Sequence, residues 1–130
     1  MKLSDIHSET TAGRLVDPAA VIATGALGQA FDTQGYQDRL KLIAVIGAVT
    51  GTTPTLDIKV QDCDTSGGTY ADLVTPVTFA QLVTASANTV AAIGVDTQAC
   101  RRYIKLYATA AGTSPSFTMG VTVVGQKQVI

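Results

Sequence analysis

Tryptophan is absent from this chain, aromatic residues make up only 5% of it, and histidine occurs once. Without large rings, a core has to be assembled from the Ala, Val, Ile and Leu that dominate the 46% apolar content, side chains that suit thin, closely packed sheets. The single imidazole, His7, lies in a weakly patterned opening segment, and a Ser-His-Asp or Cys-His pair would need that segment to fold over a nucleophile. Neither a G-x-S-x-G elbow nor a P-loop is present; the glycines stand singly or as one pair in turn-like stretches. A non-enzymatic protein without a cofactor is therefore expected, and His7→Ala is expected to leave its function intact.

Positive charge is also scarce. Nine Lys and Arg stand against ten Asp and Glu, a formal net charge of −1, so there is no basic excess to neutralise nucleic-acid phosphates or anionic lipid. Neither nucleic acid nor membrane is expected as a partner. The longest apolar run, residues 42–49, falls far short of the roughly 20 residues that a membrane-spanning helix needs. Charged and polar residues in Met1-Lys2-Leu3-Ser4-Asp5-Ile6-His7-Ser8-Glu9 occupy the place of a signal peptide's apolar run, and a soluble product of a cytoplasm is expected.

Only two cysteines occur, Cys63 and Cys100, too far apart for a C-x-x-C pair, so no zinc site is expected. They are candidates for independent thiols, an internal disulfide or cross-links between copies formed after release into an oxidising medium. Arg101 and Arg102 follow Cys100 and either form a solvated strand entrance or lower its pKa, making it the more reactive thiol. Asp62-Cys63-Asp64-Thr65-Ser66-Gly67-Gly68 matches the first half of a calcium loop, but Leu73 stands where the bidentate Glu belongs, which favours a polar hairpin loop.

What the chain has in quantity is β-type patterning. Its 130 residues suit one domain. From about residue 40 onward, short β-type runs alternate with turn residues, the pattern of an antiparallel β-sandwich or jelly roll. In Thr55-Leu56-Asp57-Ile58-Lys59-Val60-Gln61 the apolar residues alternate with polar ones, which predicts Leu56, Ile58 and Val60 buried and Lys59 and Gln61 not. Residues 102–108 repeat the pattern, with Ile104 and Leu106 inward and Tyr103, Lys105 and Tyr107 on the other face. Residues 40–46 and 117–124 are more continuously apolar and are expected to be central strands, deep in the sheet or covered on both faces, with Val121 and Val123 buried. Weaker strands are predicted at 70–73, 77–82 and 89–94. Turn chemistry at 50–54, 65–68, 85–88 and 112–115 separates these runs.

The first 35 or so residues have no sustained period beyond one possible strand near Val21. Residues 1–22 are taken as an extended arm and 23–130 as the sandwich domain. Leu3, Ile6, Leu15, Val16, Val21 and Ile22 are the candidate contacts that would dock this arm on a neighbouring subunit or shell protein. Tyr103 and Tyr107, with Lys105 between them, form a stripe of the kind that contacts bases or sugars, or that a loop or partner subunit covers.

The order of Ala23-Thr24-Gly25-Ala26-Leu27-Gly28, Phe31-Asp32-Thr33-Gln34-Gly35-Tyr36, residues 55–61, Ile93-Gly94-Val95-Asp96, Cys100-Arg101-Arg102-Tyr103-Ile104-Lys105 and Gly112-Thr113-Ser114-Pro115-Ser116-Phe117 resembles small capsid-associated proteins of tailed bacteriophages. The resemblance covers roughly residues 20–125. It implies a jelly-roll or sandwich decoration (cement) protein, with no catalytic residues. Such a protein binds the outside of the shell as a dimer or trimer, contacts the major capsid protein and ties capsomers together. It further implies assembly in the host cytoplasm and a final place on the capsid exterior of the virion. The alternatives are a tail-tube, tail-terminator or head-fibre component, a carbohydrate-binding or host-adhesion module on the Tyr103/Tyr107 face, and a small hydrolase dependent on His7.

Overall fold

The computed structural model describes residues 10–127. Leu3, Ile6 and His7 lie outside them. The fold is all-β and antiparallel: β1 (Thr10–Val21), β2 (Gly25–Asp32), β3 (Tyr36–Cys63), β4 (Ala71–Asp72), β5 (Thr89–Asp96) and β6 (Tyr103–Lys127), with one 3-10 turn at Thr84–Ser86.

Two very long strands organise everything else. β3 runs for 28 residues and β6 for 25, and they pair along nearly their whole length. Their register breaks between Ile46 and Val49, Thr50 and Thr52, and Thr52 and Thr55, and this divides the ladder into two leaves. In leaf I the first part of β3 and the last part of β6 are flanked by β5 and β1, in the order β1-β6-β3-β5. In leaf II the last part of β3 and the first part of β6 are flanked by β4 and β2. One apolar cluster takes residues from both leaves, including Leu40, Leu42 and Phe117 from leaf I and Leu56, Ile58 and Leu106 from leaf II. The result is a sandwich made by folding one sheet over.

The fold-over uses the residues that the sequence marks as turns. Gly51 and Gly112 both have left-handed backbone, φ +114° and +106°, and cross at close quarters. A Cβ on Gly112 would lie 2.6 Å from the Thr53 carbonyl oxygen, and one on Gly51 would lie 2.7 Å from that of Ser114. Thr53 and Ser114 also have positive φ. Turn chemistry here bends and bulges two continuous strands; it does not end four separate ones.

The alternation predicted for 55–61 and 102–108 is present. Leu56, Ile58, Val60, Ile104, Leu106, Val121 and Val123 are all buried, and Lys59 and Gln61 are not. The predicted strand at 89–94 is β5. The run at 70–73 contracts to the two residues of β4, and 77–82 follows β3 only through isolated bridges, Leu56 with Leu82 and Lys59 with Thr78.

The largest correction concerns the arm. Residues 10–21 are a strand of leaf I, paired with β6 from Thr10 opposite Gln126 to Val21 opposite Phe117. Leu15, Val16 and Val21 are buried in the chain's own core and are not available to a neighbour. The irregular pattern has a local cause. Leu15 is the extra residue of a bulge between Arg14 and Val16, so two consecutive apolar residues are buried and period-two alternation is lost. Of the described arm contacts only Ile22 is exposed, at 65%. The sandwich thus begins by Thr10, not at residue 23.

Candidate functional site

The two outer faces of the sandwich differ in chemistry. On leaf II, β6 presents Tyr103, Lys105 and Tyr107 as the alternation requires, each half-buried, and Lys59 and Gln61 lie beside them on β3. Each ring already faces a cation. The Lys59 ammonium lies 5.3 Å from the Tyr107 ring centroid, the Arg102 guanidinium 5.0 Å from Tyr103, and Lys105 5.5 Å from Tyr70. Two of those cations are held in turn: Lys59 pairs with Asp72 at 2.9 Å, and Arg102 makes a two-pronged pair with Asp32 at 2.9 and 3.1 Å. The tyrosine stripe is therefore a cross-linked polar surface whose ring faces have partners within the chain.

At the end of leaf II, Arg101 and Asp62 join the strand entrance to β3. The Asp62 side chain, 8% exposed, accepts hydrogen bonds from the Arg101 backbone N–H at 2.9 Å and from its Nε at 3.0 Å, while Arg101 also donates to the Asp62 carbonyl at 2.7 Å. Both carboxylate oxygens of Asp62 are thus engaged, and the loop that follows is closed by Gly68 N–H donating to the Thr65 carbonyl. Among the described residues no group of three or more His, Cys, Asp or Glu converges as metal ligands would.

Cys63 and Cys100 are free thiols. Cys63 is buried against Thr65, and Cys100 is partly buried, its Sγ directed at the Thr97 carbonyl 3.9 Å away. Of the two readings of Arg101 and Arg102, the one in which they lower the pKa of Cys100 finds no support in its surroundings. Burial, and then the negative charges of Asp62 and Asp96, push its pKa above the ordinary value. Arg101 and Arg102 point their charge at Asp62 and Asp32 instead.

Leaf I presents the opposite kind of surface. Cross-strand pairing puts Val45 of β3 between Val90 of β5 and Gly120 of β6, and Ile43 between Ala92 and Thr122. Val45 is 53% exposed and Val90 is 65% exposed. Beside Val45 runs a groove of about 270 Å³ lined by Arg14, Pro18, Gly47, Thr118, Gly120 and Val45 itself. The groove exists because two glycines leave out side chains: a Cβ on Gly120 would come within 3.2 Å of Pro18, and one on Gly47 within 3.4 Å of the Thr118 carbonyl. The charges near the groove are few: Arg14 is shared with Asp17 at 3.6 Å, and Arg39 and Lys41 lie further along β3. A flat apolar surface with a side-chain-sized groove is suited to docking a macromolecule.

Against known proteins the chain stands apart in sequence. No protein-family model matches it, and no curated protein matches it. Solved structures do resemble it in shape. A structure of infectious bursal disease virus, Gx strain, aligns over 91% of this chain and 32% of that one at 13% identity with a TM-score of 0.55. The SPBc2 prophage-derived protein YomS aligns over 88% of this chain and 93% of that one, at 13% identity and a TM-score of 0.45. The Bacillus endospore appendages, described as disulfide-linked pili, align over 93% and 92%, at 17% identity and a TM-score of 0.40. The viral alignment supports a shared fold.

Sequence reasoning missed the leaf I face because residues 40–46 and 117–124 look like doubly covered strands. Their inward positions, Leu40, Leu42, Ala44 and Ile46, are indeed buried, but Ile43 and Val45 between them face outward with nothing over them among the described residues. The signal that separates the two cases is glycine. Gly47 and Gly120 thin the outer face where a covering layer would call for large side chains.

Proposed function

We propose that this chain is a structural, non-enzymatic virion protein that binds the outer surface of a phage capsid and stabilises contacts between capsomers. The observation that carries the reading is the open outer face of leaf I, where Val45, Val90 and the Gly47/Gly120 groove form a contiguous apolar surface. A lattice partner repeated many times allows each such contact to be weak while the shell as a whole is held firmly. The resemblance of the ordered segments to capsid-associated phage proteins, and a fold shared with a chain of a virus structure, supply the virion context. The major capsid protein is then the partner, and the capsid exterior the location. The tyrosine face of leaf II gives less support to a carbohydrate-binding module, since its ring faces are already engaged by Lys59, Arg102 and Lys105.

Val45→Lys tests this without touching the core. It should leave the melting temperature of the isolated protein nearly unchanged and lower its occupancy on capsids stripped of the native copy. Copy number decides between virion parts: hundreds per particle place the chain on the shell, and a few tens or fewer place it in the tail or at a vertex. Undiminished occupancy by the Val45→Lys protein would refute the leaf I assignment.

A further inference from the structure

A sandwich of two open leaves has four edges, and natural proteins usually blunt such edges with proline, lysine, bulges or short strands. Three of the four are blunted here. β1 carries Pro18, the charged pair Arg14 and Asp17, and two register breaks. β2 has a register break between Leu27 and Phe31, and its Gly28 sits so close to β1 that a Cβ there would collide with the Leu15 carbonyl. On the far side of leaf II, β4 has only two residues and the segment at 77–82 bonds through isolated bridges.

β5 is the exception. It pairs with β3 in eight consecutive steps, from Arg39 opposite Asp96 to Ile46 opposite Thr89, with no shift. Its sequence, Thr89-Val90-Ala91-Ala92-Ile93-Gly94-Val95-Asp96, has no proline, lysine or arginine. Among the described residues no backbone hydrogen bond reaches the other edge of the strand from 90 to 95. The core is also unfinished along it. Ala91 and Ile93 share the inward face with buried Val95 and pack against the core, yet both remain only half-buried, because no further strand flanks them.

We propose that β5 is the strand through which two copies of this chain join, pairing antiparallel with the β5 of the partner across a two-fold axis normal to leaf I. The strand is complementary to itself. Directly opposed residues of an antiparallel pair point to the same face, so a continuous sheet requires an in-phase register, and the one centred on Ala92 satisfies it. Val90, 65% exposed, then lies opposite the partner's Gly94, a branched side chain against the residue with none. Ala91 lies opposite the partner's Ile93, which completes the inward face on both sides. Asp96, the only charged residue of the strand, meets the partner's neutral Asn88, so no like charges oppose each other.

Such an axis joins the leaf I sheets into one eight-stranded sheet and leaves both outer faces, with both grooves, on the same side. The pairing itself does not depend on what that face binds. If the face docks on a capsid, the dimer presents it twice and gains avidity from a repeating surface.

The test uses the full-length protein. Sedimentation equilibrium at tens of micromolar should show a dimer. Ala92→Lys, which adds a cation at an exposed position facing its own copy across the axis, should weaken dimerisation at least about tenfold while leaving the melting curve of the monomer intact. Ala92→Cys should form an intermolecular disulfide under mild oxidation, whereas Gly67→Cys on the far loop should not. A monomeric parent, a trimer, or a dimer equally stable in Ala92→Lys would overturn the proposal. Capsid occupancy is a separate readout: a dimer that does not bind capsids sinks the docking reading and leaves the strand pairing standing.

Discussion

Replacing Leu15 by Ala asks whether the opening segment belongs to the fold. Leu15 is 0% exposed and occupies the bulge of β1, packed in the cluster shared by both leaves. The substitution deletes an isopropyl group, worth roughly 2.4 kcal/mol in transfer free energy at about 0.8 kcal/mol per buried carbon. A cavity adds to this, because the bulge is pinned on one side by the close approach of Gly28 and cannot collapse freely, so the total should fall at about 2 to 5 kcal/mol. For a domain of this size that corresponds to a fall in Tm of roughly 7 to 18 °C. Thermal unfolding followed by circular dichroism at the β-sheet minimum measures it directly. Ile22→Ala is the internal control: a neighbouring residue 65% exposed, expected to change stability by no more than about 0.5 kcal/mol. If Leu15→Ala melts with the parent, β1 is not part of the cooperative unit and the sequence-based arm is restored. Deleting residues 1–18 makes the same point more severely. An arm could be removed without cost, whereas here most of β1 is lost and the inward face of β6 around Val121 and Met119 is opened to water.

Three further outcomes follow from particular contacts. Gly112→Ala should destabilise by about 1 to 3 kcal/mol or more, since it combines a left-handed backbone with a Cβ 2.6 Å from the Thr53 carbonyl oxygen, while Gly67→Ala, with nothing within 4 Å, should be nearly neutral in the same urea titration. The Asp32 carboxyl is held below its ordinary pKa, chiefly by its hydrogen bonds from Arg102, so its contribution is fully present above the unfolded value near 3.8 and is lost as pH falls through the lower folded value. Asp32→Asn should therefore lower stability at pH 7 and flatten the acid limb below about pH 4, and an unchanged acid limb would argue against the pair. Cys100, raised by burial and by Asp62 and Asp96, should react with a thiol reagent at pH 8 several-fold more slowly than a free thiol, and equal rates would show that the site is open.

The parts of this fold that were legible in the sequence are the ones set by local alternation. In 55–61 and 102–108 the inward apolar residues recur at every second position, so geometry alone divides the faces, and the buried set is as expected from Leu56 to Leu106. Connectivity was less legible because a turn residue and a bend residue have the same chemistry. Gly51, Pro54, Gly112 and Pro115 suit a chain reversal or a strand folding over, and only the pairing of residue 49 with 117 and of 55 with 111 distinguishes the two. The opening strand was hidden for a related reason. A bulge at Leu15 places two neighbouring residues inward, and this erases the period by which a strand is recognised.

The candidate surfaces show where local reasoning runs out. Tyr103 and Tyr107 were placed correctly on one face, yet what determines their use is the partner over each ring, and those partners come from Lys59 on another strand and Arg102 at the strand entrance. The reverse holds for β5. Its sequence is unremarkable as a strand, and the absence of lysine and proline acquires meaning only once the topology puts it at an edge while β1, with Pro18 and its bulges, takes the opposite edge of the same leaf. A strand's position in the sheet decides whether its composition is neutral or a site of association. The edges of one sandwich share solvent and core, and among the described residues only β5 keeps a regular unpaired backbone, beside a half-covered Ile93.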